Sequence, residues 1–365
     1  MTVVDWGKRA DMIVHEVLPF NAEASLSALA AGDITPIDAF YARNHGPIPD
    51  IRSDDWRLTV DGLVNEALSL SFDDLTTGFP AHTVVATLQC AGNRRVGFNE
   101  VSPIFGEDPW GPGATSTAEW HGVRLADVLT AAGVHRRDDL HVAFAAPDVS
   151  DLATPSQRYG SSIPLSKAMS EEVLLSWQMN SQSLPRLHGG PVRVVVPGYI
   201  GARSVKWLTD ITVQEHPSDN YFQSTAYHIL PPDVDPDTAE PHTGFPLSSV
   251  ALNSDILEPA DGATVAAGAL KISGYAFAGD DRRVTRVDVS LDGGRSWRQA
   301  DLGPAISSWA WQRWTLTVEV EPGPLTITAR AWDSTGASQP ESAAALWNPK
   351  GYANNSWASV RVEAR

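Results

Sequence analysis

Cys90 is the single cysteine among 365 residues. It ends a β-like run and opens the stretch Leu88-Gln89-Cys90-Ala91-Gly92-Asn93-Arg94-Arg95. A thiolate is both a nucleophile and a soft metal ligand, and guanidinium charge nearby favours the ionised sulfur over the thiol. A lone free cysteine is also, commonly, a small buried hydrophobe. Cationic and hydrogen-bonding residues recur in further clusters: Arg43-Asn44-His45, Arg94-Arg95, Arg186-Leu187-His188, Arg193, and Arg203-Ser204-Val205-Lys206. Singly, each suits a solvated face or an internal ion pair. Taken with a thiolate, they suggest a bound polyanion.

The elements that must position these residues change character along the chain, from mixed α/β to almost pure β. Leu125, Val128, Leu129 and Ala132 fall on one helical face, and Gly133 suits the position just past a helix end. Pro191 to Gly198 is a β-branched run closed by a Pro-Gly turn, which predicts a buried strand feeding the loop Gly201–Lys206. From Tyr221 to Ser249 the chain is proline-rich and aperiodic, and the domain connection is placed there. Beyond it, Arg286 to Leu291 alternates with period two into Asp292-Gly293-Gly294, a hairpin-type turn. Trp309 and Trp311 share one parity, whereas Trp314, Leu316, Val318 and Val320 share the other, which predicts a β-bulge between them. Short strands at this spacing indicate a β-sandwich of about a hundred residues.

Composition narrows the partners. A formal charge of −17 opposes binding to nucleic acid or anionic membranes. One cysteine excludes an internal disulfide framework and multi-cysteine zinc sites. The N-terminus lacks a secretory h-region and no apolar run is long enough to span a bilayer, so a soluble, cytoplasmic chain is expected. The Asn354-Asn355-Ser356 sequon is then idle. G-x-G-x-x-G, P-loop, H-E-x-x-H, G-x-S-x-G and C-x-x-C-H motifs are all missing.

Several of these stretches carry a family resemblance. Tyr41–Pro49, Leu88–Arg95, Gly113–Trp120, and Val192–Gly198 through Leu208 resemble the sulfite oxidase family of molybdenum enzymes, which also includes assimilatory nitrate reductase. Val287–Gly294 and Leu346–Gly351 resemble that family's immunoglobulin-like dimerisation domain. The resemblance implies an α+β chain: a mixed α/β molybdopterin-binding catalytic domain over residues 1–245, then an immunoglobulin-like β-sandwich over 246–365 that forms a homodimer. It implies one molybdenum–molybdopterin per chain, with Cys90 as protein ligand to the metal. Tyr41, Ala42, Arg43, Asn44, His45, Asp151, His188, Arg193, Ser204, Val205 and Lys206 would hold the pterin and its phosphate. Arg43, Arg95, Trp110, Tyr227 and Lys350 would form the pocket for a small oxyanion, and the chemistry would be oxo transfer to sulfite followed by two one-electron reoxidations.

Two departures qualify the match. Sulfite oxidases carry Arg where this chain has Lys350, and nitrate reductases carry Met; lysine keeps the charge but loses the fork. No haem domain or flavin site has a counterpart here, so electrons are expected to pass to dioxygen or to an external acceptor such as a cytochrome. The rivals are a nitrate or other oxo-transfer reductase on the same site and, from another class, a cofactor-free binding or scaffold protein.

Overall fold

The computed structural model describes residues 4–135 and 137–365. The first part of the chain is built on two five-stranded sheets. One runs Gln182–Ser183, Leu174–Met179, Thr115–Arg124, Ala81–Gln89, with Arg193–Val195 also paired to Leu174–Met179. The other runs Leu68–Ser71, Arg57–Gly62, Asp210–Gln214, His141–Ser150, Gln157–Pro164, antiparallel except where Asp210–Gln214 lies parallel to Arg57–Gly62. The amphipathic run expected to be helical is the helix Leu125–Ala131; Leu125, Val128, Leu129 and Ala132 are all buried, and Gly133 follows at a φ of 68°. The β-branched run forms a shorter strand than expected, Arg193–Val195, because the residues that follow turn away into the Gly201–Lys206 loop.

The C-terminal part is a sandwich of a four-stranded sheet (Asn253–Glu258, Gly268–Phe277, Gln312–Val320, Asp301–Leu302) and a five-stranded sheet (Thr264–Val265, Ala358–Ala364, Gly323–Asp333, Val284–Ser290, Arg298–Gln299). Its core is lined by Ile272, Val287, Val289, Trp314, Val318 and Ile327, the alternate residues of paired strands, as burying one face of each sheet requires. The architecture is therefore α+β followed by a β-sandwich. Among the described residues no helix is long and apolar enough to cross a membrane.

Two expectations are corrected. There is no bulge near Trp311, since Gln312–Val320 pairs with Gly268–Phe277 in unbroken register. The parity switches because Trp309 and Trp311 precede the strand and serve the other domain. Trp309 bridges to Ala86, Trp311 donates its backbone N–H to Thr87 Oγ1 (2.8 Å) and its indole N–H to Asp33 O (2.9 Å), and its ring sits in the core cluster of the first domain. The proline-rich connection, read from sequence as aperiodic, has regular elements as well. It carries a helical turn, Tyr221–Ser224, and the short pair His228–Ile229 with Phe245–Pro246, both held down by Arg203. The Arg203 guanidinium is fully buried and donates to Leu247 O, Phe222 O and Ser161 Oγ.

Candidate active site

Ala81–Gln89 pairs with Thr115–Arg124 residue for residue, and the Cys90 N–H extends the ladder to Ala114 O (2.9 Å). The chain then turns, with Asn93 N donating to Cys90 O and Arg95 N to Gly92 O, and Arg94 adopts a φ of 64°. Cys90 is thus fixed at the end of a rigid strand, buried, facing a cavity. Gly92 is required by this turn: a Cβ there would lie 2.6–3.0 Å from the Arg95 guanidinium. Gly351, at a φ of 60°, faces the same side chain from the sandwich, where a Cβ would meet Arg95 Cγ at 2.6 Å.

The two adjacent arginines do different work. Arg94 stitches the domains together, donating to Ser356 O and Trp357 O and pairing with Asp255 at 3.3 Å. Its own carbonyl accepts from Asn354, the buried asparagine of the sequon. Arg95 folds back, with Nε to Lys350 O (3.0 Å), Nη1 to Asp108 O (2.7 Å) and Nη2 to Glu107 Oε2 (3.3 Å).

The cavity against Cys90 is lined by Tyr41, Ala42, Arg43, Asn44, His45, His188, Arg193, Ser204 and Lys206 among the residues expected to hold a cofactor, and also by Asp148, Tyr159, Gly201 and Tyr227. Arg193 donates only to carbonyls (His188 O, Val194 O, Ser204 O), and its burial pushes its pKa down to about 10. Lys206 donates to Arg43 O, Asn44 Oδ1 and Leu187 O; burial, and then Arg193, hold it well below the usual lysine value. His188 and His45 are pushed down chiefly by burial, so both rings are neutral. Ser204 Oγ accepts from Val196 N and locks the loop to its strand.

Asp151 and Val205 do not line this cavity. Along His141–Ser150 burial alternates strictly, so Val142, Phe144, Ala146 and Asp148 face inward while Asp151, on the other parity, is exposed and bonded to Ser156. Asp148 takes the place assigned to Asp151. Val205 is core packing whose carbonyl accepts from Val194 N. Sequence reasoning also missed Lys8, whose ammonium reaches Ile37 O, Phe40 O and His188 Nε2 (2.8 Å); burial lowers it to about 7. Asp148 could have been found as a carboxylate on the apolar parity of its strand. Nothing in the sequence joins Lys8 to His188.

A second cavity of about 260 Å³ opens toward solvent and is lined by Glu16, Arg43, Glu107, Asp108, Asp237, Tyr227, Lys350 and Tyr352, among others. The two cavities share Arg43, Asn44, His45 and Tyr227. Burial works against the charge of Arg43, but its surroundings, the Asp108 carboxylate at 3.8 Å among them, outweigh it and raise the guanidinium above its ordinary value. Tyr227 OH lies 2.6 Å from His45 Nε2, and its ring stacks on Tyr352. Trp110 and Arg95, both expected in the oxyanion pocket, line neither cavity. Trp110 is fully buried in the apolar cluster around Cys90, and the Arg95 nitrogens are engaged within the protein as described.

The residues fit a molybdopterin. Arg193 and Lys206 are buried cations with no hydrogen-bonded carboxylate, an arrangement that a bound phosphate or dithiolene relieves. Asp148 Oδ1 is a buried oxygen without a partner on the same cavity wall, one that a polar group of the pterin could satisfy. Burial raises the Cys90 thiol despite Arg95 and Arg43, so the guanidinium charge invoked from sequence does not by itself ionise the sulfur. A metal cation does. Among the described residues no three His, Cys, Asp or Glu side chains are grouped to hold an ion.

Fold and site together define a molybdopterin oxidoreductase with a separate sandwich domain. Residues 45–222 match the oxidoreductase molybdopterin binding domain, and residues 246–365 match the Mo-co oxidoreductase dimerisation domain. The chain is 44% identical to sulfite oxidase of Gallus gallus over 353 residues, covering 94% of this chain and 76% of that protein. It is 38% identical to sulfite oxidase of Arabidopsis thaliana, covering 94% and 91%. The sulfane dehydrogenase SoxCD from Paracoccus pantotrophus superposes with a TM-score of 0.79 at 28% identity, covering 98% of this chain and 86% of that one. The chain belongs to the sulfite oxidase family of molybdenum oxidoreductases.

Asp148 provides a test of the unfilled cavity. Its burial raises the carboxyl to about 6, against roughly 3.9 in an unfolded chain. The folded state therefore holds this proton more tightly than the unfolded state. Its cost to stability is absent well below pH 4, grows as pH rises from about 4 toward about 6, and is constant above. Asp148→Asn should stabilise cofactor-free protein by about 1–2 kcal/mol at pH 7.5 and by little near pH 4. Urea midpoints at the two pH values check it; equal differences at both would place Asp148 in solvent.

Proposed function

We propose that this protein oxidises sulfite to sulfate at a molybdenum carried by one molybdopterin, passing electrons to dioxygen or an external acceptor. The observation that supports it most is the shared wall: the cavity holding Cys90 and the solvent-side cavity holding Lys350 meet at Arg43, Asn44, His45 and Tyr227. When bound, the cofactor supplies two-electron oxygen-atom transfer; water contributes the oxygen, and two protons leave. The chain's own residues do the rest. Cys90 is presented to the metal by the strand end. Arg193, Lys206, His188 and Ser204 would hold the phosphate and pterin side, with Lys8 bonded behind His188. Arg43 stands at the junction, its charge secured, where an oxyanion is held against the reacting centre. Tyr227 is a neutral phenol because burial raises it far above the usual value, and so it can donate a hydrogen bond. Lys350 supplies a point charge at the mouth from the sandwich domain.

Purified protein from a host that makes molybdopterin should carry about one molybdenum per chain. Cys90→Ser should abolish sulfite oxidation with the circular dichroism of the fold unchanged, because a hard oxygen donor replaces thiolate. Protein without molybdenum, or a fully active serine variant, would end the proposal.

Lys350→Met should raise the sulfite KM by about 10- to 150-fold, the worth of a charge-assisted contact, while Lys350→Arg stays much milder. Parallel assays with nitrate separate this reading from an oxo-transfer reductase on the same site. An unchanged KM in the methionine variant would remove Lys350 from the pocket.

We also propose a homodimer formed through the sandwich, supported by the match of residues 246–365 to a dimerisation domain. Sedimentation of the full chain at micromolar concentration checks it, and a monomer would contradict it.

A further inference from the structure

The cavity assigned to the incoming oxyanion is not a field of free positive charge. Arg43 and Lys350 line it, with Arg95 behind, but Glu16, Glu107, Asp108 and Asp237 line it as well. Glu107 is the carboxylate placed most directly on the cations. One of its oxygens bonds Lys350 Nζ, the other lies 3.3 Å from Arg95 Nη2, and its side chain is only 12% exposed. Asp108 Oδ2 sits 3.8 Å from Arg43 Nη1 and accepts from Asn21 Nδ2, which also donates to Glu16. A dianionic oxyanion approaching Lys350 therefore meets a carboxylate already bound there, two oxygens on two cations, the same contact geometry it would itself make.

Burial opposes ionisation of Glu107, but the adjacent Arg95 and Lys350 outweigh it and hold the carboxyl below its ordinary value. Two anions cannot share one lysine in a part-buried site without strong repulsion. The chain geometry allows an exchange. Glu107 lies in a loop between the short helix Arg95–Glu100 and the strand Thr115–Arg124, next to Gly106 with its φ of 72° and to Phe105, which is 83% exposed. Arg95 is clamped by the backbone carbonyls of Asp108 and Lys350, so the backbone on either side of the ion pair is held and the exchange is a rotation of the Glu107 side chain off Lys350.

Resting on the sulfite reading of this site, we propose that Glu107 is a resident counter-anion that occupies the oxyanion position on Lys350 and is displaced by substrate, setting the affinity and selectivity of the pocket. Strong dianions displace it; weakly basic monoanions such as nitrate compete poorly. The inference concerns a competing carboxylate, in contrast to a salt bridge that positions Lys350 for catalysis, and the two make opposite predictions.

The test uses the molybdenum-loaded full chain and its Glu107→Gln variant, with sulfate binding measured by calorimetry and sulfite turnover in parallel. Removing the competitor should tighten sulfate binding and lower the sulfite KM by roughly tenfold, the scale of one charge-assisted contact. Nitrate binding should tighten by at least as much, so that selectivity for the dianion falls. Weaker or unchanged sulfate binding in Glu107→Gln overturns the proposal and makes Glu107 a support for Lys350. Should the glutamine variant fail to fold, Glu107→Asp, whose shorter arm reaches Lys350 less well, must show the same direction with a smaller change, and the opposite direction overturns it. Tighter sulfate binding without sulfite turnover in either protein would sink the substrate assignment and leave the exchange standing.

Discussion

Buried positive charge whose hydrogen-bond partners are neutral, with only the unbonded carboxylate of Asp148 on the same cavity wall, is the constraint around which this molecule is organised. Arg193 and Lys206 lie beside Cys90 in one cavity, with Lys8 against its His188 wall, and each is held by carbonyls, an amide oxygen or an imidazole. Burial lowers all three, so the protein alone disfavours their charged forms. A phosphate and a metal dithiolene reverse that balance, which links cofactor binding to folding of the surrounding loops.

The solvent-side cavity solves the opposite problem. There Arg43, Arg95 and Lys350 are matched by Asp108 and Glu107, so the pocket is internally compensated. Compensation keeps charged side chains soluble in a part-buried space, at a cost in affinity for any incoming anion. The wall between the cavities, Arg43 with His45 and Tyr227, is where an uncompensated site and a compensated one touch.

The solvent-side cavity does not belong to the first domain alone. Lys350 and Tyr352 come from the sandwich, and the same segment is locked by Arg95 through Lys350 O. Trp311, Trp309 and Arg94 tie the domains over a separate surface, with the Trp311 ring buried in the core of the first domain. The sandwich therefore completes the solvent-side cavity, and its residues 246–365 match a dimerisation domain.

Local pattern sufficed where local forces dominate. The helix at Leu125–Ala131, the alternating strands of the sandwich, and the strand-to-turn step at Cys90 were legible because hydrophobic period and turn residues determine them directly. Matched motifs also brought Tyr41 to His45, His188, Arg193, Ser204 and Lys206 to one place, and the structure puts all of them on the cavity wall. The parity of a single strand moved Asp151 out and Asp148 in, a distinction the sequence contained but spacing to Tyr159-Gly160 obscured. The tryptophan pattern was misread for a different reason: Trp309 and Trp311 pack across a domain boundary, where strand periodicity carries no information. Matched motifs, through the family they resemble, thus gave the class of cofactor, and hydrophobic pattern gave the two-part architecture. Only the tertiary structure decided that Lys8 reaches His188, that Arg94 and Arg95 part company, and that Glu107 sits on Lys350. Those contacts join residues from 12 to more than 250 positions apart, and their geometry is set by packing that no local pattern encodes.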